Sequence, residues 1–189
     1  MNKLALENKI HSLFPELSES SLNLFSKHTS FLKLPRRTQL IKEGNRHSYF
    51  YFILKGCAKS FYQKEAREVC MWFAFENEVI ATTTTYIGLP SKETLELIED
   101  SELIRFDIEK IKELSKTDIS VIHLLKKILL EHTLCIEERL YQLQFMSKEE
   151  RYKELVEEAP EILQRVSLTD IASLLGMNRE TLSRLRANK

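Results

Sequence analysis

The stretch 168–189, LTDIASLLGMNRETLSRLRANK, decides the architecture. With Gly176 at the centre, Ala172 lies four residues before it, Ile171 five before and Leu175 one before. Leu182 lies six after and Leu185 nine after. Two helices that cross steeply through a tight turn need these types at these places. A small residue belongs where the second helix passes over the first, and glycine permits the left-handed turn. The spacing predicts a helix-turn-helix with Ile171, Leu175, Leu182 and Leu185 as its adhesive. A plain helical hairpin with a charged outer face is the simpler alternative.

The second of these helices is predicted to start after Asn178, a suitable N-cap. At about 100° per residue, Arg179, Glu180, Ser183 and Arg184 share one polar arc, and Leu182 and Leu185 fall on the opposite one. From 179 to the end, Arg179, Arg184, Arg186 and Lys189 stand against Glu180, a local charge of +3. Basic residues there also suit the helix dipole. Arg reads guanine O6 and N7 bidentately and Glu accepts from cytosine N4, so the arc is a candidate DNA-reading face. Its residues are Asn178, Arg179, Glu180, Ser183, Arg184, Arg186 and Lys189.

Upstream, the texture changes twice. Residues 5–27 read as short helices with Ser18 or Ser20 as a cap. From Phe31 to about Phe106, short runs rich in β-branched and aromatic residues alternate with turn-like EGNRHS, QKEAR, ENE and GLPSK, the pattern of an all-β barrel or double-sheet roll. EVIATTTTYI is expected among these strands. After a short helix, IEKIKELSK, Asp118 leads into roughly 28 residues without Gly or Pro, long enough for about 42 Å of helix. Apolar residues recur along it at Ile122, Leu125, Leu129, Ile136, Leu140 and Leu143, an approximate heptad stripe. We expect this to be a subunit seam; the alternative is a helix packed on its own domain. Ser147 and Glu150 have capping-box spacing, so a new helix is predicted there, hinged between Phe145 and Lys148. The expected division is 1–117, sensor roll with N-terminal helices; 118–146, dimerisation helix; and 147–189, DNA-binding domain.

Composition narrows the class. The chain has 189 residues, 43% hydrophobic and 30% charged, with no net formal charge. There is no apolar run long enough to span a membrane, and the start, MNKLALENKI, is not a secretory signal. Cys57, Cys70 and Cys135 are scattered and odd in number, which fits a reducing cytoplasm and argues against a disulfide framework. Each is expected to be a small buried hydrophobe.

At MNRETLSRLR the sequence resembles the recognition helix of the Crp/Fnr regulators, whose pattern is close to S-R-E-T-V-x-R. The segment LIKEGNRHSYFYFILKGCAKSF, with Gly44 and Gly56 at its turns, resembles the family's roll. The long helix resembles its dimerisation helix. The resemblance implies an α+β chain: an N-terminal double-stranded β-roll of the cyclic-nucleotide-binding-like jelly-roll type, a long dimerisation helix and a C-terminal helix-turn-helix. The sequence stops at Lys189, where the family continues into a β-hairpin wing; Arg186 and Lys189 are expected to replace part of that wing's phosphate contact. In cyclic-nucleotide-binding members a Gly-Glu and an Arg-Ser/Thr hold the nucleotide. Ala81 and Thr82, and Lys92 and Glu93, stand in those places here. Lys does not reproduce the bidentate Arg clamp, so cAMP is not the expected effector and no cofactor is expected. Thr82, Thr83, Thr84, Thr85 and Lys92 are a candidate pocket for another ligand, with a β-branched strand as the alternative. The scattered cysteines and the histidines, including His47 and His132, offer no metal or iron–sulfur site.

These readings lead to a homodimeric, sequence-specific binder of double-stranded DNA, with RNA polymerase as a candidate further partner, and not an enzyme. The contrasting readings are a metal-dependent enzyme on a similar roll, for which the His pairs are missing, and a ligand-binding or scaffolding roll whose helix-turn-helix does not bind DNA.

Overall fold

The computed structural model describes residues 3–15, 17–65 and 67–187. Two short helices, α1 (Lys3–Leu13) and α2 (Glu19–Lys27), come first, and Ser18 caps the second by accepting from the Ser21 N–H. The strands follow as β1 (Thr29–Leu34), β2 (Gln39–Ile41), β3 (Tyr49–Lys55), β4 (Ala58–Lys64), β5 (Arg67–Ala74) and β6 (Val79–Ile80). A one-turn helix α3 (Thr83–Ile87) precedes β7 (Thr94–Leu97) and β8 (Ser101–Asp107). The strands form two four-stranded antiparallel sheets, in the orders β1-β8-β3-β6 and β2-β7-β4-β5. Sequential strands alternate between the sheets for much of the chain, which closes them into a roll. Its interior is filled by Ile41, Ile53, Ile80, Leu95, Leu97 and Leu103, all fully buried.

The expected strand across EVIATTTTYI is a correction. Only Val79 and Ile80 pair. Thr82 takes an extended backbone and its hydroxyl accepts from the Thr85 N–H, so it starts a helix rather than continuing a strand. β-Branched residues raise strand propensity, but threonine is also a strong N-cap, and here capping wins.

Helix α4 (Ile108–Ser115) leads to α5 (Ile119–Phe145), which runs 27 residues, about 40 Å. Asp118 caps it through the Ser120 N–H and also takes a hydrogen bond from the Ser21 hydroxyl, tying the start of α5 to α2. The first turns of α5 bury Val121, Leu124 and Leu125 against Phe14, Phe25, Phe106 and Ile108. Leu125, expected at a subunit seam, therefore belongs to its own domain's core. Ile122, one turn earlier, stays exposed, as do Ile136, Leu140 and Leu143 further along.

The chain breaks at Met146, which is extended, and Ser147 with Glu150 forms the anticipated capping box at the start of α6 (Lys148–Glu158). Pro160 lies in the gap before α7 (Ile162–Arg165); α8 (Leu168–Leu174) and α9 (Arg179–Ala187) end the described chain. Their core is Tyr152, Ile162, Ile171, Ala172, Leu175 and Leu182, and it continues into the roll through Cys57, Phe73 and Phe75. The C-terminal unit is thus seated on the roll.

Candidate nucleic-acid interface

Helices α8 and α9 meet through a turn built as the spacing predicts. Gly176 is left-handed, φ +66°. The Met177 N–H donates to the Ala172 carbonyl at 2.9 Å and the Gly176 N–H to that of Ser173 at 3.1 Å. This pair of bonds is the Schellman arrangement that ends a helix on a left-handed residue. Ala172 and Leu182 are buried where the helices cross, Ile171 and Leu175 beside them, and Leu185 is partly covered.

That packing fixes which side of α9 is free. Arg179, Glu180, Ser183, Arg184 and Arg186 are all exposed. Asn178 is exposed too, but its side-chain oxygen accepts from the Thr181 N–H at 2.8 Å. It therefore orients the helix and keeps its amide N–H groups to offer. Lys189 lies outside the described residues. The free face carries three arginines and one acid on a helix whose apolar side is sunk, a shape and charge suited to the DNA major groove.

Three basic residues that sequence reasoning missed hold this unit in place. Arg151 is buried and donates to the carbonyls of Leu175 (3.0 Å), Gln142 (3.2 Å) and Met146 (2.7 Å). It joins the end of α5, the hinge and the end of α8. Arg165 forks onto two roll carboxylates: its Nη1 and Nη2 donate to Glu76 at 2.8 and 2.9 Å, and its Nε and Nη2 to Glu99 at 2.9 and 2.7 Å. The fork holds the Glu76 carboxyl well down, to about 2, with the Gly56 N–H assisting. Lys59 on β4 bridges Glu68 on β5 and Asp170 on α8. Burial opposes its charge, yet the two acids outweigh burial and leave its pKa raised. Alongside, the Cys70 N–H donates to the Ser173 hydroxyl at 2.9 Å. No local motif marks these residues. The roll partners of Arg165, and the Asp170 partner of Lys59, lie 66 to 111 positions away in the chain.

The residues expected at the seam differ in exposure. Ile122, Ile136 and Leu140 are 42%, 53% and 54% exposed. Leu129 is half-buried. Leu143 is exposed, but its Cδ2 also lies 3.5 Å from the position a side chain at Gly176 would take, so it serves the helix-turn-helix as well. Leu130, Leu134 and Tyr141 widen the bare apolar surface, and Tyr141 stacks on the exposed Phe145. These residues leave a row of exposed apolar side chains along α5.

The candidate ligand pocket departs from expectation. Thr82 and Thr85 are buried, and their hydroxyls bond each other at 2.8 Å; Thr84 bonds Thr82 at 3.0 Å. Thr83 and Lys92 face outward. The group that does turn inward is Glu93, which takes hydrogen bonds from the hydroxyl of Ser60 and from Trp72. Burial lifts its carboxyl above the usual range. Of the cysteines, Cys57 and Cys70 are buried as expected, with the Cys70 thiol pushed up to about 12 by burial. Cys135 is the correction: it lies exposed on α5. Among the described residues, no helix is long and apolar enough to cross a membrane, and no group of three or more side chains is placed to hold a metal.

Residues 31–118 match the cyclic nucleotide-binding domain family. No curated protein matches the chain in sequence. Solved structures share the fold at low identity. FixK2 from Bradyrhizobium japonicum superposes with a TM-score of 0.74 at 17% identity, over 85% of this chain and 83% of that one. A protein from Eubacterium rectale described as a transcriptional regulator of the Crp/Fnr family gives 0.74 at 16%, over 93% and 85%. A CooA variant from Carboxydothermus hydrogenoformans gives 0.71 at 15%, over 95% and 82%. Residues 31–118 thus match a cyclic nucleotide-binding domain, and the chain shares its fold with these solved structures.

Proposed function

We propose that this protein is a homodimeric, sequence-specific DNA-binding transcription regulator that does not respond to cyclic nucleotides. The observation that carries the reading is the free polar face of α9, held outward by the fully buried Leu182. Arg179 and Glu180, on the first turn, are the base readers, and Ser183 and Arg184 extend the same face. Arg186 supplies phosphate contact. Two copies joined along the exposed part of α5 would present two such helices to successive major grooves, about 34 Å apart. RNA polymerase is the further partner such a regulator meets at a promoter.

The insensitivity to cyclic nucleotides rests on Glu93. An anionic phosphate entering the roll would meet a carboxyl, not an arginine fork, and would have to displace its bonds to Ser60 and Trp72. A like charge close to a phosphate disfavours binding.

A second reading has one observation in its favour. Helix α8, which in a DNA complex crosses the backbone beside the recognition helix, is pinned to β4 and β5 through Asp170 and Ser173. A roll that uses its C-terminal unit only as a structural cap would look the same there. Random-site selection with the full chain separates the two. The regulator enriches an inverted repeat with half-site centres one helical turn, or a multiple of it, apart. The scaffolding module enriches nothing.

A further inference from the structure

The helix α9 leaves the body of the protein at Gly176, and one side chain sits beneath that exit. Arg151 follows directly on the capping box of α6. There the Glu150 N–H donates to the Ser147 hydroxyl at 3.2 Å and the Ser147 N–H to the Glu150 carboxylate at 2.8 Å. The reciprocal pair fixes the entry of α6 and so fixes where Arg151 points. It points inward, with only 8% of its surface exposed.

A buried guanidinium needs acceptors, and Arg151 takes them from two helix ends at once. Its Nη1 donates to the carbonyls of Gln142, in the last turn of α5, and of Met146, the cap of α5. Its Nε donates to the carbonyl of Leu175, the cap of α8. Carbonyls at helix C-termini run short of helical partners and carry the negative end of the helix dipole, which suits a cation. The Arg151 Nη2 lies 3.8 Å from where a Cβ at Gly176 would stand, so the guanidinium is directly under the left-handed turn.

The other attachments of the C-terminal unit act elsewhere. Arg165, at the end of α7, holds Glu76 and Glu99. Asp170 and Ser173, on α8, meet Lys59 and the Cys70 N–H. These contacts tie the unit to the roll ahead of the turn. A body held on one side can still rock, and a second anchor at the turn stops it. Leu143 touches the same turn, but apolar contact is non-directional. Three hydrogen bonds to fixed carbonyls do set an angle.

That angle has a meaning on DNA, and this step rests on the reading of the protein as a DNA-binding dimer joined along α5. Moving a half-site by one base pair shifts it about 3.4 Å along the duplex and turns it about 35° around the axis. Two recognition helices held at a fixed angle to the α5 pair fit one spacing and miss its neighbours. Helices that rock fit several.

We infer that Arg151 is a positioning residue: by fixing the angle at which α9 leaves α5, it sets the half-site spacing that the dimer accepts, while the exposed face of α9 sets the bases read within each half. Arg151 itself is covered and reads no base.

The test uses the full chain as wild type, Arg151→Lys and Arg151→Met, below the thermal midpoint of each. Each is titrated with duplexes carrying the selected inverted repeat with its half-site centres moved by one or two base pairs, and with duplexes altered in the bases of one half-site. Methionine keeps length and removes the donors. Lysine keeps the charge but, as a point donor, does not reproduce the planar fork; it decides the matter if the methionine variant does not fold. Wild type should favour one spacing over its one-base-pair neighbours by at least about tenfold. Either variant should narrow that ratio to about threefold or less, with the preference for the selected bases unchanged. Lost stability alone lowers affinity for every duplex by one factor and moves neither ratio. A folded variant that binds DNA with the wild-type spacing ratio overturns the inference and leaves the DNA-reading proposal standing. So does a variant whose base preference falls in step with its spacing preference, because Arg151 then supports α9 as a whole. A wild type that accepts all spacings equally overturns the inference as well, and one that prefers no sequence at all removes the DNA reading along with it.

Discussion

Replacing Arg165 by methionine tests how the C-terminal unit is held to the roll. Methionine keeps the length and apolar stem of the side chain and removes the guanidinium. The wild-type group makes four hydrogen bonds of 2.7 to 2.9 Å to Glu76 and Glu99, and its side chain is 23% exposed against 33% and 31% for the acids. A fully exposed ion pair contributes about 0.2–1 kcal/mol. Stranding a buried charge costs about 3–5 kcal/mol. A shared fork at this intermediate depth falls between, and we expect Arg165→Met to cost about 2 kcal/mol. With a urea dependence of about 2 kcal/mol per molar, the unfolding midpoint should drop by about 1 M.

The pH dependence gives a second readout. Glu76 ordinarily titrates near 4.5 and here falls to about 2, chiefly because Arg165 bonds its charged form. A carboxyl with a depressed folded pKa adds stability that is fully present above its unfolded value. That stability is lost as pH falls from about 4.5 towards 2. Wild type should therefore lose stability steeply across that window, and Arg165→Met should show a shallower slope. Equilibrium unfolding followed by circular dichroism at several pH values measures both. A midpoint shift below about 0.2 M, or an unchanged acid slope, would refute the latch.

Other substitutions probe the remaining joints. Leu182→Ala empties the fully buried contact between α8 and α9 and should cost about 2–5 kcal/mol, seen as a lower thermal midpoint. Gly56→Ala should cost more than about 1 kcal/mol, because φ is +108° and an added Cβ would sit 2.7 Å from the Ser101 Cβ; the check is chemical denaturation. If the proposed dimer forms along the apolar strip, Ile136→Asp with Leu140→Asp, which places two charges there, should sediment as a monomer at concentrations where wild type sediments as a dimer, leaving the thermal midpoint of the roll in place.

Much of this architecture was readable from residue spacing because it is local. The turn at Gly176, the caps at Ser18, Asp118 and Ser147, and the sunken Leu182 all satisfy rules that act within a few residues. The threonine run failed for a related reason. Its β-branched side chains argue for a strand, but one extended residue, Thr82, sufficed to cap a helix, and pattern alone does not rank those effects. Leu125 fits the stripe by period, yet the α1–α2 pair covers that end of α5, and nothing near Leu125 announces the cover. The Arg165 fork and the Lys59–Asp170 bridge were illegible because their partners are remote in sequence, and the Arg151 clamp because it binds backbone carbonyls, which no side-chain pattern marks.

The central claim is that the α9 face reads bases. Its most direct test compares wild type with the Arg179→Ala, Arg184→Ala double variant on a selected site and on unrelated DNA of equal length, at one salt concentration. Each bidentate arginine contributes about 1–3 kcal/mol of discrimination. The specificity ratio should therefore fall at least about thirtyfold, with the variant still folded and dimeric. A variant that is folded and keeps the wild-type ratio would contradict the account.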